Sequence, residues 1–141
     1  MSVYLDTSVM IALFIDSDPF TERAKACIAT NPESLIVSDF AAAEFASAVA
    51  RLTRTRRLTT DDATALFGTF DAWKARTTEM AYATTPDISA AAAVLRRLDL
   101  NLRAPDAINI AVADRIGATL ATFDERMATA ARTLGVRVAT A

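Results

Sequence analysis

The sequence predicts an α/β fold with a parallel sheet covered by helices on both faces, and three observations carry that expectation. Short apolar runs near residues 3–5, 35–37 and 118–123 alternate with longer segments of helical character. Gly and Pro are scarce, three and four in 141 residues, which suits a helix-rich chain. Apolar residues make up 52% and charged residues 23%, a globular rather than a disordered balance. No repeat, low-complexity tract or linker interrupts the chain, so residues 1–141 are expected to form one domain around one core.

Each element has a local cause. Residues 3–5 read as a buried strand ending at Asp6, followed by a helix over 7–14. Asp18-Pro19 opens a second helix to about residue 29, and Asn31-Pro32 closes it. After a strand at 35–37, Ser38 and Asp39 suit the start of a long Ala-rich helix to about residue 53. Thr59-x-x-Asp62 has capping-box spacing and begins a helix through 73. A strand at 79–83 follows. Thr85-Pro86 offers an N-cap with proline at the first helical position, for a helix reaching residue 98. Beyond a loop at 99–103, Pro105 starts a helix that stops at Gly117. A strand over 118–123, a helix over 124–133 and a last strand at 136–139 complete the chain.

Composition also narrows the chemistry. The chain contains no histidine, which removes imidazole acid–base catalysis, histidine-based triads and histidine metal sites. The single Cys27 can form neither an internal disulfide nor a zinc site alone. No apolar run approaches the roughly 18 residues of a membrane span, and no basic segment precedes an apolar start. A soluble cytoplasmic protein is expected. Hydrolysis would then rest on carboxylates, a metal-activated water, or both, drawn from 17 Asp and Glu residues. The net charge of −2 argues against coating long nucleic acid, but Arg51, Arg54, Arg56 and Arg57 form a local basic cluster. That cluster reads either as a solvated helix end or as a holder of phosphates or acidic groups.

Four acids stand out. In open α/β sheets, ligands bind beyond the carboxyl ends of the strands, where Asp6 and Asp124 both fall. Each is also well placed simply to cap the helix that follows. Glu44 lies among small apolar residues, and its helical neighbours Phe40, Ala41, Ser47 and Ala48 include no basic partner. Asp106 falls in the first turn of a helix, where the dipole favours the ionised form that a metal needs. Asn109 shares its face. Other acids have cheaper explanations: Asp61, Asp62 and Asp87 sit in first turns; Asp16, Asp18, Glu33 and Asp99 sit in loops. Trp73, Phe67 and Phe70 read as packing.

Val-Tyr-Leu-Asp6-Thr7-Ser8, Ser38-Asp-Phe-Ala-Ala-Ala-Glu44-Phe, Arg103-Ala-Pro-Asp106-Ala-Ile-Asn109-Ile-Ala and Ala121-Thr122-Phe123-Asp124-Glu125-Arg126 together resemble the PIN-domain nucleases, and among them the VapC toxins of toxin–antitoxin pairs. The resemblance spans nearly the whole chain, in order. It implies a three-layer α/β/α sandwich around a central, mostly parallel sheet, binding Mg²⁺ or Mn²⁺ and cutting RNA. It implies an acidic quartet of Asp6, Glu44, Asp106 and Asp124, with Thr7 and Thr122 as hydroxyl positions beside it. It further implies a homodimer and a cognate VapB-like antitoxin whose tail enters the groove. Asn109 departs from the pattern, many relatives carrying histidine there, and altered substrate contacts are the expected consequence.

Four carboxylates within a few ångströms repel by about 4 kcal/mol per pair at ~4 Å, which favours a hard cation or protonation. Two readings compete: a receiver-like or phosphotransferase domain with Asp after strand one, and a PIN-fold RNA- or protein-binding module without catalysis. The first is disfavoured because the only lysines, Lys25 and Lys74, fall in helices away from strand ends.

Overall fold

The computed structural model describes residues 2–15, 17–30 and 34–139; Asp16, Asn31-Pro32 and Glu33 lie outside them. Four strands form one sheet: β1 Val3–Leu5, β2 Leu35–Ser38, β3 Thr78–Ala81 and β4 Thr119–Ala121. Their order is β3-β2-β1-β4 and every pairing is parallel, with Val3 opposite Leu35 on one side and Thr119 on the other. Side-chain alternation then divides the interior in two. Val3, Leu5, Leu35, Val37 and Ala121 point into one core, and Tyr4, Ile36 and Leu120 into the other.

Helices cover both faces. α1 Thr7–Phe14, α2 Thr21–Thr30, α3 Asp39–Arg54 and α4 Thr60–Thr77 close the first core through Met10, Ala24, Phe45 and Phe70. α6 Ala104–Arg115 and α7 Glu125–Thr133 close the second through Ile110, Val112, Met127 and Ala131, with α5 Thr85–Leu95 packed against α6. The result is the expected three-layer α/β/α sandwich. No helix among the described residues is long and apolar enough to cross a membrane.

Several boundaries differ from expectation. α4 continues four residues past Trp73 to Thr77, because Lys74, Ala75 and Arg76 are good helix formers and no Gly or Pro interrupts them. The α5 cap is Thr84, in a capping box with Asp87, which moves Pro86 one position further into the first turn. α5 stops at Leu95, and residues 98–100 form a 3-10 turn ended by Asn101 in the left-handed region. The last strand reduces to one parallel bridge, Val138 to Leu120.

Because all the strands run parallel, the residues leaving β1, β2 and β4 emerge on one edge of the sheet. The Asp6 N–H donates to the Ala121 carbonyl at 3.1 Å, holding the exits of β1 and β4 together.

Candidate active site

Asp6 begins the site by capping α1. Its Oδ1 accepts hydrogen bonds from Ser8 Oγ at 2.6 Å and Val9 N at 3.2 Å, and its Oδ2 accepts one from Thr122 Oγ1 at 2.6 Å. Only 5% of the residue is exposed. Burial pushes its carboxyl up to about 6, with the Glu44 charge adding to the rise and the three hydrogen bonds working against it.

Glu44 projects from α3 half-buried, and its Oε1 accepts from Thr7 Oγ1 at 3.0 Å and Asn109 Nδ2 at 2.7 Å. Burial raises its pKa, as does the charge of Asp106, while Asn109, Thr7 and Arg103 favour the ionised form. Its partners therefore come from other elements, which is why its own helix offered none. Asn109 is 3% exposed and donates to Glu44, the supporting place beside the acids expected for it along with Thr7 and Thr122. Its amide is held the right way round. Tyr4 Oη donates to Asn109 Oδ1 at 2.5 Å, and Nδ2 also donates to the Pro105 carbonyl at 3.0 Å. Ser38 Oγ, which accepts the Ala41 N–H, gives its own hydrogen to Tyr4 Oη at 2.6 Å. Burial pushes the Tyr4 phenol far above its usual range, so it stays a neutral donor.

Asp106 stands in the first turn of α6, its Oδ2 accepting from the Arg103 N–H at 3.2 Å with the Arg103 guanidinium 3.9 Å away. Asp124 caps α7, its Oδ1 accepting from Arg126 N and Met127 N at 3.0 and 3.1 Å. Its own N–H donates to Thr122 Oγ1 at 3.0 Å, the hydroxyl that also binds Asp6. Asp6 and Asp124 thus both cap the helices that follow them, and the Thr122 hydroxyl touches both residues. Two hydrogen-bonded groups meet at the Asp6–Thr7 peptide bond: the Asp124 N–H, Thr122 and the Asp6 carboxylate on one side, and Thr7, Glu44 and Asn109 on the other. Asp106 joins by its charge on Glu44.

Among the described residues, no three acidic or thiol side chains stand close enough to grip a metal ion directly. The donors nevertheless suit a hydrated hard cation, which keeps several waters and needs only one or two carboxylates. Glu44 Oε2, Asp106 Oδ1 and Asp124 Oδ2 accept no hydrogen bond among the described residues.

The arginine cluster divides. A groove of about 390 Å³ runs from Thr7 and Glu44 past Ser47 and Ala48 to Arg51 and Arg54, along one face of α3. Arg56 and Arg57 lie beyond the helix end, where Arg56 takes a left-handed backbone (φ 60°) and Arg57 N bonds the Leu52 carbonyl.

Sequence reasoning missed Ser8, Tyr4, Ser38 and Arg103. Tyr4 carried a signal, since a tyrosine inside an apolar strand needs a partner for its hydroxyl. It also missed the partner of Asp87, which is 2% exposed and bound by Arg115 Nε at 2.8 Å and Nη2 at 3.1 Å.

The family model for the PIN domain matches residues 3–133. No curated protein matches the chain. Among solved structures, the chain is similar to the Mycobacterium tuberculosis VapC20, described as a sarcin-ricin loop cleaving toxin. That similarity has TM-score 0.73 and 23% identity, covering 91% of this chain and 94% of that one. It is also similar to FitAcB from Neisseria gonorrhoeae, with TM-score 0.76 and 21% identity over 98% and 96% of the two chains. A third is VapBC2 from Rickettsia felis bound to a fragment of its promoter DNA, with TM-score 0.71 and 13% identity over 99% and 98%.

Proposed function

The chain belongs to the PIN domain family, and on that premise we propose that it is a Mg²⁺- or Mn²⁺-dependent endoribonuclease, the toxin of a toxin–antitoxin pair. The observation that carries this reading is the pair of adjacent residues after β1, Asp6 and Thr7, of which Asp6 is bonded to Thr122 beyond β4 and Thr7 to Glu44 on α3, at one edge of the sheet. The folds named above as toxins and toxin–antitoxin complexes support it. Its substrate is RNA, with tRNA or rRNA the preferred class. Its partners are a VapB-like antitoxin and a second copy of the chain, in the cytoplasm.

Asp6 and Asp124 would hold the cation directly, and Glu44 and Asp106 would hold it through water. When bound, the cation acidifies water and neutralises charge on the phosphate. Thr122 fixes the Asp6 carboxylate, while Thr7 and Asn109 fix Glu44 through one oxygen. Glu44 Oε2 is left to take a proton from the attacking water. Arg51 and Arg54, lining the groove from Glu44, hold phosphates of the strand beside the cut.

Purified protein incubated with total tRNA and rRNA should produce discrete fragments with Mg²⁺ and none with EDTA. Asp6→Asn should lower the rate by at least ~100-fold without loss of fold. Undiminished cleavage by that variant removes the assignment, and no cleavage by either protein leaves a binding module.

A further inference from the structure

Two aromatic groupings occur among the described residues, and they differ in kind. Phe14, Phe45, Phe70 and Trp73 pack edge-on and stacked beneath α3 and α4, with Phe45 and Phe70 fully buried. That grouping is core. The second consists of Phe20, just before α2, and Phe123, just after β4; both are half-buried. Their rings stack at 5.0 Å between centroids and 12° between planes, and the exposed Arg23 guanidinium lies 5.1 and 5.2 Å from the two centroids.

Both rings pack against the edge of the first core, but their position ties them to the acidic site as well. Phe123 sits between Thr122 and Asp124 in sequence, and its N–H donates to Ser8 Oγ at 3.0 Å, the hydroxyl that binds Asp6. The platform is therefore tied to the same turn of α1 that fixes the first carboxylate. It also lies on the opposite flank from the arginine groove. In the sheet, β1 separates β2 from β4, so Glu44 and Arg51 follow the strand on one side of Asp6 and Phe123 follows the strand on the other.

Half-buried aromatic faces with a guanidinium plane beside them are the surfaces on which unpaired nucleobases stack, in a way that tolerates any base identity. We infer that Phe20, Phe123 and Arg23 form a stacking subsite for one unpaired nucleobase of the RNA, on the Asp124 side of the cut bond. The inference rests on the ribonuclease reading. It adds that the substrate is single-stranded there, held by a base at one flank and by phosphates along Arg51 and Arg54 at the other.

The test uses fluorescent decaribonucleotides carrying a mapped cut site, each with one abasic ribose at a successive position. Affinity is read with the Asp6→Asn protein and cleavage with the wild type. One position on a single side of the cut should lower affinity about tenfold when abasic. Phe123→Leu, which keeps an apolar side chain, should bind the intact strand about tenfold more weakly and be indifferent to that abasic position. Arg23→Gln should act in the same direction more mildly, and 2-aminopurine at that position should be quenched by the Asp6→Asn protein and not once Phe123→Leu is added. Intact-strand affinity unchanged in Phe123→Leu overturns the subsite, as does equal abasic sensitivity in both proteins. Failure of the nuclease reading looks different: no cut site can be mapped in any RNA, while unstructured decaribonucleotides still bind with one abasic-sensitive position that Phe123→Leu removes.

Discussion

Asp6 carries the clearest thermodynamic consequence at the level of single residues. Its folded pKa, near 6, lies above the ordinary value of 3.8, so the metal-free fold binds its proton more tightly than the unfolded chain. The stability this contributes is complete below about pH 4 and is lost as pH rises through about 6, leaving the ionised form costing about 3 kcal/mol. Asp6→Asn should therefore be more stable than wild type by about 2 kcal/mol near pH 7.5 in EDTA, some of the gain being lost with the weaker hydrogen bonding. The difference should vanish near pH 4. Urea unfolding at the two pH values checks this, and a constant difference would place the cost elsewhere. Asp87 has the opposite sign. Burial raises its pKa, but the hydrogen bonds from Arg115 and Thr84 outweigh that and hold it below the usual value. Its stabilisation is present above about pH 4 and lost on further acidification; Asp87→Ala should lose that acid-sensitive component and at least ~1 kcal/mol of capping. Sequence alone made Asp6 conspicuous, because an acid directly after a strand is a local fact. It could not give Asp87 its weight, because Arg115 lies 28 residues away.

Among the elements, α3 shows how a helix can sort a cluster that looks uniform in sequence. Arg51 and Arg54 share the groove with Glu44, whereas the left-handed turn at Arg56 carries Arg56 and Arg57 past the helix end. Replacing Arg51 and Arg54 with Gln should weaken RNA binding and reduce its salt dependence by about two counterions' worth. Arg56→Gly should instead raise stability by about 1 kcal/mol and leave binding near wild type. Salt titrations of RNA affinity and thermal unfolding separate the two. Equal effects from both variants would mean that the cluster acts only through its overall charge. Caps and breakers made most helices legible, as with Ser38 and the Thr59–Asp62 box, since those signals are local. The end of α4 and the final strand were not. No breaker marked the first, and a short apolar run such as 136–139 does not reveal that only Val138 finds a partner.

In the whole molecule, the alternation of strands and helices was enough to expect a parallel sheet with two covered faces. The order of its strands was not readable, because pairing between residues far apart leaves no periodic trace. That order has a consequence in time. β1 is one of two inner strands, and one side of its ladder waits for residues 119–121. That pairing closes a loop of more than a hundred residues, and the same closure brings the Thr122 hydroxyl to Asp6. A nascent chain still short of Asp124 lacks both the ladder and the carboxylate. A fragment ending before residue 119 would leave one side of β1 unpaired and Asp6 without the Thr122 hydroxyl that holds its carboxylate.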